Sequence, residues 1–228
     1  MRRMLVRVVS RVGITAVVAG GMSGCFLADG QERVVVYGVA EPVRTLVVQG
    51  HIGEISVRGG GPAVRVTERQ TYRGAAPVAV HSTVDGTLTL TYSCPDDGCG
   101  VGYEVEVPAG TQVRVSNGTG GVALAGALGA VEARTGTGEV TASGLASPTA
   151  RLETETGGVS AAFAVRPESV RATSQTGGVR VRVPGGAPYA VEAAARTGDV
   201  SVTVARDDAA PQRITARTET GSVTVSGA

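Results

Sequence analysis

Two cysteines in the middle of this 228-residue chain offer its clearest side-chain chemistry. Cys94 and Cys99 enclose the sequence Pro-Asp-Asp-Gly, whose residue types favour a tight turn. Such a turn would bring the thiols together, and we expect a disulfide worth about 2 kcal/mol in the chain-entropy model. Free or redox-active thiols and a metal site are the alternatives. A metal would need further ligands, and the only histidines are His51 and His81.

The remaining titratable residues do not form a known catalytic motif. The chain has two His and no Ser nucleophile elbow, zinc-protease or phosphate-loop motif. We therefore expect a protein that is not an enzyme, with no catalytic residues, cofactor or metal. A polysaccharide-active enzyme is the alternative from another class, and it would require carboxylates clustered in a cleft.

The first 25 residues read as an export signal. Four arginines precede a short apolar stretch over residues 12–21, which is too short to span a bilayer. Met22-Ser-Gly-Cys25 follows, and it resembles the lipoprotein box of bacterial lipoproteins, in which the Cys thiol takes a diacylglycerol and the chain is cut just before it. The resemblance implies lipidation at Cys25. A free Cys in a conventional secretory signal is the alternative.

The predicted organisation is a signal peptide over residues 1–24, a lipidated tether over 25–32 and a single β-repeat domain over 33–228. Residues 1–24 hold four of the 21 arginines, which leaves 17 arginines and 20 carboxylates, a formal net charge of −3. A slightly acidic domain is not expected to bind nucleic acid or anionic lipid by charge. Attachment to the extracytoplasmic face of the cell membrane would come from the lipid on Cys25.

An internal repeat dominates the second half of the chain, with clear copies over about residues 112–227. The string Thr-Gly-x-Val occurs six times, with spacings that grow from 18 to 23 residues. The glycines of these strings, which we call the corner glycines, are Gly120, Gly138, Gly157, Gly177, Gly198 and Gly221.

Apolar residues alternate with polar ones on both sides of each corner glycine, which is the pattern of half-buried strands. The apolar positions are odd before the glycine and even after it, so the chain must turn a corner there. We predict an all-β fold: a parallel β-solenoid of about 20-residue, two-strand repeats, with an irregular N-terminal β region. A β-sandwich is the alternative.

The outward positions of the repeats carry charges of both signs. Arg114, Glu132 and Arg151 fall at one position of successive repeats, and Arg134 and Glu153 fall at another. We expect cross-strand pairs of opposite charge; a ligand-binding stripe is the alternative. The last repeat ends within residues 223–228, and we expect its free edge to pair with a protein partner or a second copy.

The repeat also has a family resemblance. Residues 131–144, Val-Glu-Ala-Arg-Thr-Gly-Thr-Gly-Glu-Val-Thr-Ala-Ser-Gly, resemble the repeat unit of the bacterial "putative adhesin" domain, DUF4097, and the resemblance extends over about residues 40–227. It implies an extracytoplasmic β-helical domain. Some members resemble, or lie beside, cell-envelope stress proteins, and the family supplies no catalytic residues.

These observations together predict a membrane-anchored extracytoplasmic lipoprotein that acts as a non-enzymatic, adhesin-like binding or scaffold surface. The predicted partners are the membrane, through the lipid on Cys25, and a protein or second copy at the C-terminal strand edge; cell-wall glycan is a further candidate. The alternatives are an envelope-stress sensor or accessory subunit and, from another class, a polysaccharide-active enzyme.

Overall fold

The computed structural model describes residues 30–227, and every helix or strand within them is a β-strand. The strands form two large sheets that contain both parallel and antiparallel pairs and share one hydrophobic core. The prediction of an all-β fold is therefore confirmed. The signal peptide and the lipidation site predicted at Cys25 lie outside the described residues.

The ten-stranded sheet consists of β1 (Gln31–Val39), β3 (Ile55–Gly59), β4 (Val64–Tyr72), β7 (Gly100–Val107), β9 (Val122–Gly126), β11 (Val140–Leu145), β13 (Val159–Phe163), β15 (Val179–Val183), β17 (Val200–Val202) and β19 (Val223–Gly227). The nine-stranded sheet consists of β2 (Thr45–Gln49), β5 (Val78–Val84), β6 (Thr87–Ser93), β8 (Gln112–Thr119), β10 (Val131–Thr137), β12 (Thr149–Thr156), β14 (Ser169–Thr176), β16 (Ala190–Thr197) and β18 (Arg213–Thr220).

Each repeat places one strand in each sheet, and equivalent residues of neighbouring repeats face each other. Val131 of β10, for example, lies opposite Val113 of β8 and Ala150 of β12 in parallel pairs. The inward positions are almost all buried, and they hold Val, Ala and Leu, which suits a core with few aromatic side chains. The shared repeat template therefore sets the register between these strands.

The N-terminal region departs from this regular pattern. Strand β1 pairs with β4, and β5 pairs with β6, both antiparallel. Strands β1 and β5 are each the last strand of their sheet at this end. The ring of Tyr37 on β1 stacks on the ring of His81 on β5 with centroids 4.6 Å apart, so one aromatic contact joins the two edge strands.

The order of the last two repeats differs from the order in the chain. Strand β18 lies between β14 and β16, and β19 lies between β15 and β17, all in parallel pairs. The expectation that the final strand presents a free edge is therefore wrong, because β19 has a partner on each side. At this end of the stack the edge strands are β16 and β17.

The connecting segments around residues 184–212 explain how β16 and β17, which come earlier in the chain than β18 and β19, become the edge strands. The guanidinium of Arg166 donates to the carbonyl oxygens of Ala187 (2.8 Å) and Pro188, and to Oε1 of Gln212 (3.2 Å). It also lies 3.9 Å from the ring centroid of Tyr189, which is fully buried. Arg166 thus ties the loop before β16 to the insert before β18, where the chain crosses over.

A ladder of side-chain hydrogen bonds supports the corners. The residue three positions before a corner glycine is Ala195 in one repeat, and in the other five it donates to a glycine carbonyl oxygen of the neighbouring repeat at 2.8–3.0 Å. Thr135, Thr154, Ser174 and Thr218 donate to corner glycines. Asn117 donates to Gly53, which lies between β2 and β3 and also has a positive φ. All five side chains are buried. The threonines next to the corners, such as Thr156, are exposed instead.

The ladder predicts different costs for two threonines of the same strand. Thr154→Val removes the 2.9 Å bond to the carbonyl of Gly138 and leaves that oxygen without its side-chain donor. We expect it to lower the free energy of unfolding by about 1–2 kcal/mol. Thr156→Val is the matched control, and we expect a change within about 0.5 kcal/mol because the side chain is exposed. Urea unfolding measures both; equal losses would contradict the role of the ladder.

Candidate functional site

A long groove crosses the outer face of the nine-stranded sheet, perpendicular to its strands. It has a volume of about 930 Å³ and is lined by residues of β8, β10, β12, β14, β18 and β16. Neighbouring strands are about 4.8 Å apart, so six strands give a groove roughly 24 Å long. Gly118 and Gly136 also line it, and a Cβ atom on them would lie 2.6 Å from the carbonyl oxygen of His51 and 2.8 Å from that of Gly118, respectively. We call this feature the sheet groove.

The charges that line the sheet groove balance. Its charged side chains are Arg134, Arg196, Arg217, Glu153, Glu155 and Glu219. Serine, threonine and glutamine side chains, such as Ser116, Thr173 and Gln175, lie between them. The groove therefore offers many donors and acceptors without a net charge.

The ion pairs on this face differ from those predicted. Glu153 contacts Arg151 of its own strand at 2.8 Å, and Glu192 contacts Arg217 across strands. The predicted pairs of Arg114 with Glu132, Glu132 with Arg151 and Arg134 with Glu153 lie in register. Among the residues from 30 to 227, however, none of those pairs comes within 4.0 Å.

The predicted disulfide joins Cys94 and Cys99, with their Cα atoms 5.7 Å apart. The disulfide loop borders a pocket of about 660 Å³ that is also lined by His51 and Ile52. The hydroxyl of Tyr92 donates to the carbonyl of Ile52 at 2.9 Å and accepts from its amide at 2.6 Å. These bonds position Ile52, which directly precedes Gly53, whereas each of the six corner glycines is preceded by Thr.

A buried polar cluster lies between the sheets at the N-terminal end. Tyr37 donates to Oε1 of Glu68 at 2.7 Å, and Nε2 of Gln70 donates to Oε2 at 3.1 Å. Burial and then the charge of Glu68 raise the pKa values of Tyr37 and Tyr103 above their usual range. The cluster holds one carboxylate, so it offers no acid–base pair of the kind that hydrolyses glycosides.

This cluster was not predicted from the sequence. The alternation of inward residues at Val64 and Val66 continues at Glu68 and Gln70, and this pattern was the sequence signal for two buried polar side chains.

The corner glycines lie between the two strands of each repeat, all at positive φ. Among residues 30–227 there is no group of three or more His, Cys, Asp or Glu placed to hold a metal ion, and no helix able to cross a membrane.

Comparison with known proteins gives structural neighbours only. No protein-family model matches the chain, and no curated protein matches its sequence. The structure is similar to that of a "putative cell adhesion protein" from Clostridium sporogenes, with 12% identity and a TM-score of 0.56 over 87% of this chain and 100% of that one.

Two further solved structures have lower scores. A "putative adhesin" from Bacteroides fragilis gives 14% identity and a TM-score of 0.49 over 87% of this chain and 97% of that one. A "putative lipid binding protein" from Parabacteroides distasonis gives 9% identity and a TM-score of 0.37 over 88% and 97%. At these identities, the similarity to the Clostridium sporogenes protein is a similarity of fold.

Proposed function

We propose that the protein is a membrane-anchored extracytoplasmic lipoprotein that binds a linear, uncharged polar polymer without reacting with it. In this proposal the two sheets form a solenoid and Cys25 carries the lipid. Cell-wall glycan is the polymer class that fits this description. The observation that carries the proposal is the sheet groove, which extends across six neighbouring strands and is balanced in charge.

The lining of the sheet groove favours a glycan over a polyanion. A polyanion needs an excess of cationic side chains, whereas this groove has three arginines and three glutamates. Hydroxyl, amide and charged groups all hydrogen-bond sugar hydroxyls. The parallel register repeats these groups every 4.8 Å or so along the groove, which suits a ligand built of repeating units. The adhesion name of the Clostridium sporogenes neighbour is compatible with such binding.

A blocking variant tests the proposal. Thr173 lies at the centre of the sheet groove, between Glu153 and Arg217 of the adjacent strands. Thr173→Arg should fill the groove and weaken retention of purified wall glycan at least tenfold. Thr141→Arg is the matched control, because Thr141 is exposed on the outer face of the opposite sheet. The measurement is co-sedimentation of each full chain, carrying Cys25→Ser, with insoluble glycan.

The same experiment separates the alternative functions. Equal retention of both variants, or no retention of the unmodified chain, would contradict glycan binding in the groove. Shortened glycan fragments in the supernatant would favour the enzyme alternative. Capture of one dominant membrane protein from an envelope extract, with no glycan bound, would favour the sensor or accessory subunit.

A further inference from the structure

We propose that β16 pairs antiparallel with β16 of a second copy of this chain, with a two-fold axis at Ala194. Strand β16 pairs with β18 on one side. On the other side the insert pairs only with the residue before the strand, through a bridge between Tyr189 and Arg206, and among residues 30–227 no strand pairs with residues 191–197 on that side. It is eight residues long, so it presents an extended row of backbone groups for strand addition.

The backbone of β16 is oriented for this pairing. The amide of Ala190 donates to the carbonyl of Gln212 at 2.9 Å, on the β18 side. Because backbone groups alternate along a strand, residues 192, 194 and 196 also face β18, whereas Val191, Ala193 and Ala195 face the open edge. With Ala194 on the axis, Ala193 of one copy forms a hydrogen-bonded pair with Ala195 of the other, twice by symmetry.

The end of the core at this edge is apolar and incompletely covered. Val191 and Ala193 are half-buried, whereas their equivalents in β18, Ile214 and Ala216, are fully buried. In the ten-stranded sheet, Val200 of the edge strand β17 is 45% exposed. A two-fold axis perpendicular to the sheets would place each sheet of one copy beside the same sheet of the other. One contact would then cover the apolar ends of both sheets.

The outward charges of β16 select a second copy as the partner. In this register Glu192 of each copy, which also contacts Arg217 of its own chain, lies opposite Arg196 of the other, which gives two cross-strand pairs of opposite charge. Arg196 has no acidic partner within 4.0 Å among residues 30–227. Ala194 meets its own symmetry mate at the axis, where the strands approach most closely and a small side chain is required.

The pairing would also join two sheet grooves. Ala194 and Arg196 line the end of the groove nearest to this edge. A two-fold axis at Ala194 therefore places the grooves of the two copies end to end on one continuous face. The dimer itself does not depend on what the groove binds.

Charge reversal in trans tests the proposal. Sedimentation velocity of the full chain with Cys25→Ser should show a reversible dimer at micromolar concentration. Arg196→Glu places Glu opposite Glu192, and Glu192→Arg places Arg opposite Arg196, so each variant should dimerise at least tenfold more weakly. A one-to-one mixture should restore the dimer, because both pairs are then opposite in charge.

The mixture also separates loss of pairing from loss of folding, since a misfolded variant cannot be rescued by another chain. Ala193→Pro removes an amide that faces only the open edge, and it should weaken the dimer while β18 pairing remains. A monomeric unmodified chain at 100 µM or so, single variants that dimerise normally, or a mixture that stays monomeric would each overturn the proposal. Thr173→Arg, within the groove but away from the edge, should dimerise like the unmodified chain.

Discussion

Gly177→Ala should lower the free energy of unfolding by about 3–5 kcal/mol, or prevent folding altogether. Gly177 has a φ of +144°, and a Cβ atom there would lie 2.0 Å from the carbonyl oxygen of Gly157 in the neighbouring repeat. The backbone conformation alone costs an L-residue about 1–3 kcal/mol, and forcing two repeats apart adds a similar amount. That carbonyl also accepts the ladder bond of Ser174, so it cannot move without a second loss.

The neighbouring residue provides the control for this substitution. A Cβ atom on Gly178 would lie 3.5 Å from the carbonyl oxygen of Ser222, which is an ordinary contact. Gly178→Ala should therefore change the free energy of unfolding by less than about 1 kcal/mol. Thermal and urea unfolding of the two variants measures the difference. Similar stabilities would show that close approach of corner backbones does not hold the repeats together.

The register of the repeats could be predicted from sequence because it depends on local patterns. Alternating side chains, and glycine where the alternation changes parity, determine which residues face the core. The order of the last two repeats could not be predicted from the sequence, because both match the same template and consecutive elements usually lie side by side. The distinguishing signal is small: Thr218 can donate to the carbonyl of Gly177, whereas the equivalent residue of the earlier repeat is Ala195.

The sequence predicted that outward residues at equivalent positions of successive repeats lie side by side, but it did not predict the sheet groove that they line. Its lining brings Arg196 and Glu219 to neighbouring positions, which follows from the crossover and not from their order in the chain. Gly118 and Gly136 allow neighbouring backbones to approach closely along the groove, and this role becomes visible only once the strands are paired. The ion pairs formed, such as Arg151 with Glu153, reflect side-chain conformations that a register cannot specify.

The stability of the fold should fall steeply above pH 10. Burial raises the pKa of Tyr103, and the nearby charge of Glu68 raises it further. The unfolded chain releases the phenol proton near pH 10, whereas the folded chain holds it. The stabilisation is therefore complete below pH 10, and each pH unit above that value removes about 1.4 kcal/mol for this side chain. The pKa of Tyr37 is raised by the same two causes, so Tyr37 adds to the loss of stability above pH 10.

Two tyrosine substitutions should separate this titration from hydrogen bonding. The hydroxyl of Tyr103 is buried without a hydrogen-bond partner among residues 30–227, so Tyr103→Phe should leave stability at pH 7 unchanged or raise it by about 1 kcal/mol. Tyr37→Phe removes the donor to Glu68 and should cost about 1–3 kcal/mol at pH 7. Urea unfolding between pH 7 and pH 11 measures both effects.

The pH slope distinguishes the role of Tyr103 from general alkaline unfolding. Tyr103→Phe removes one group that the folded chain keeps protonated, so its loss of stability above pH 10 should be shallower by about 1.4 kcal/mol per pH unit. A slope equal to that of the unmodified chain would mean that Tyr103 titrates normally. Tyr103 lies on β7, opposite Glu68 of β4 and Ile55 of β3. A shallower slope for Tyr103→Phe would therefore show that the folded chain keeps this phenol protonated among the paired strands of the irregular N-terminal region.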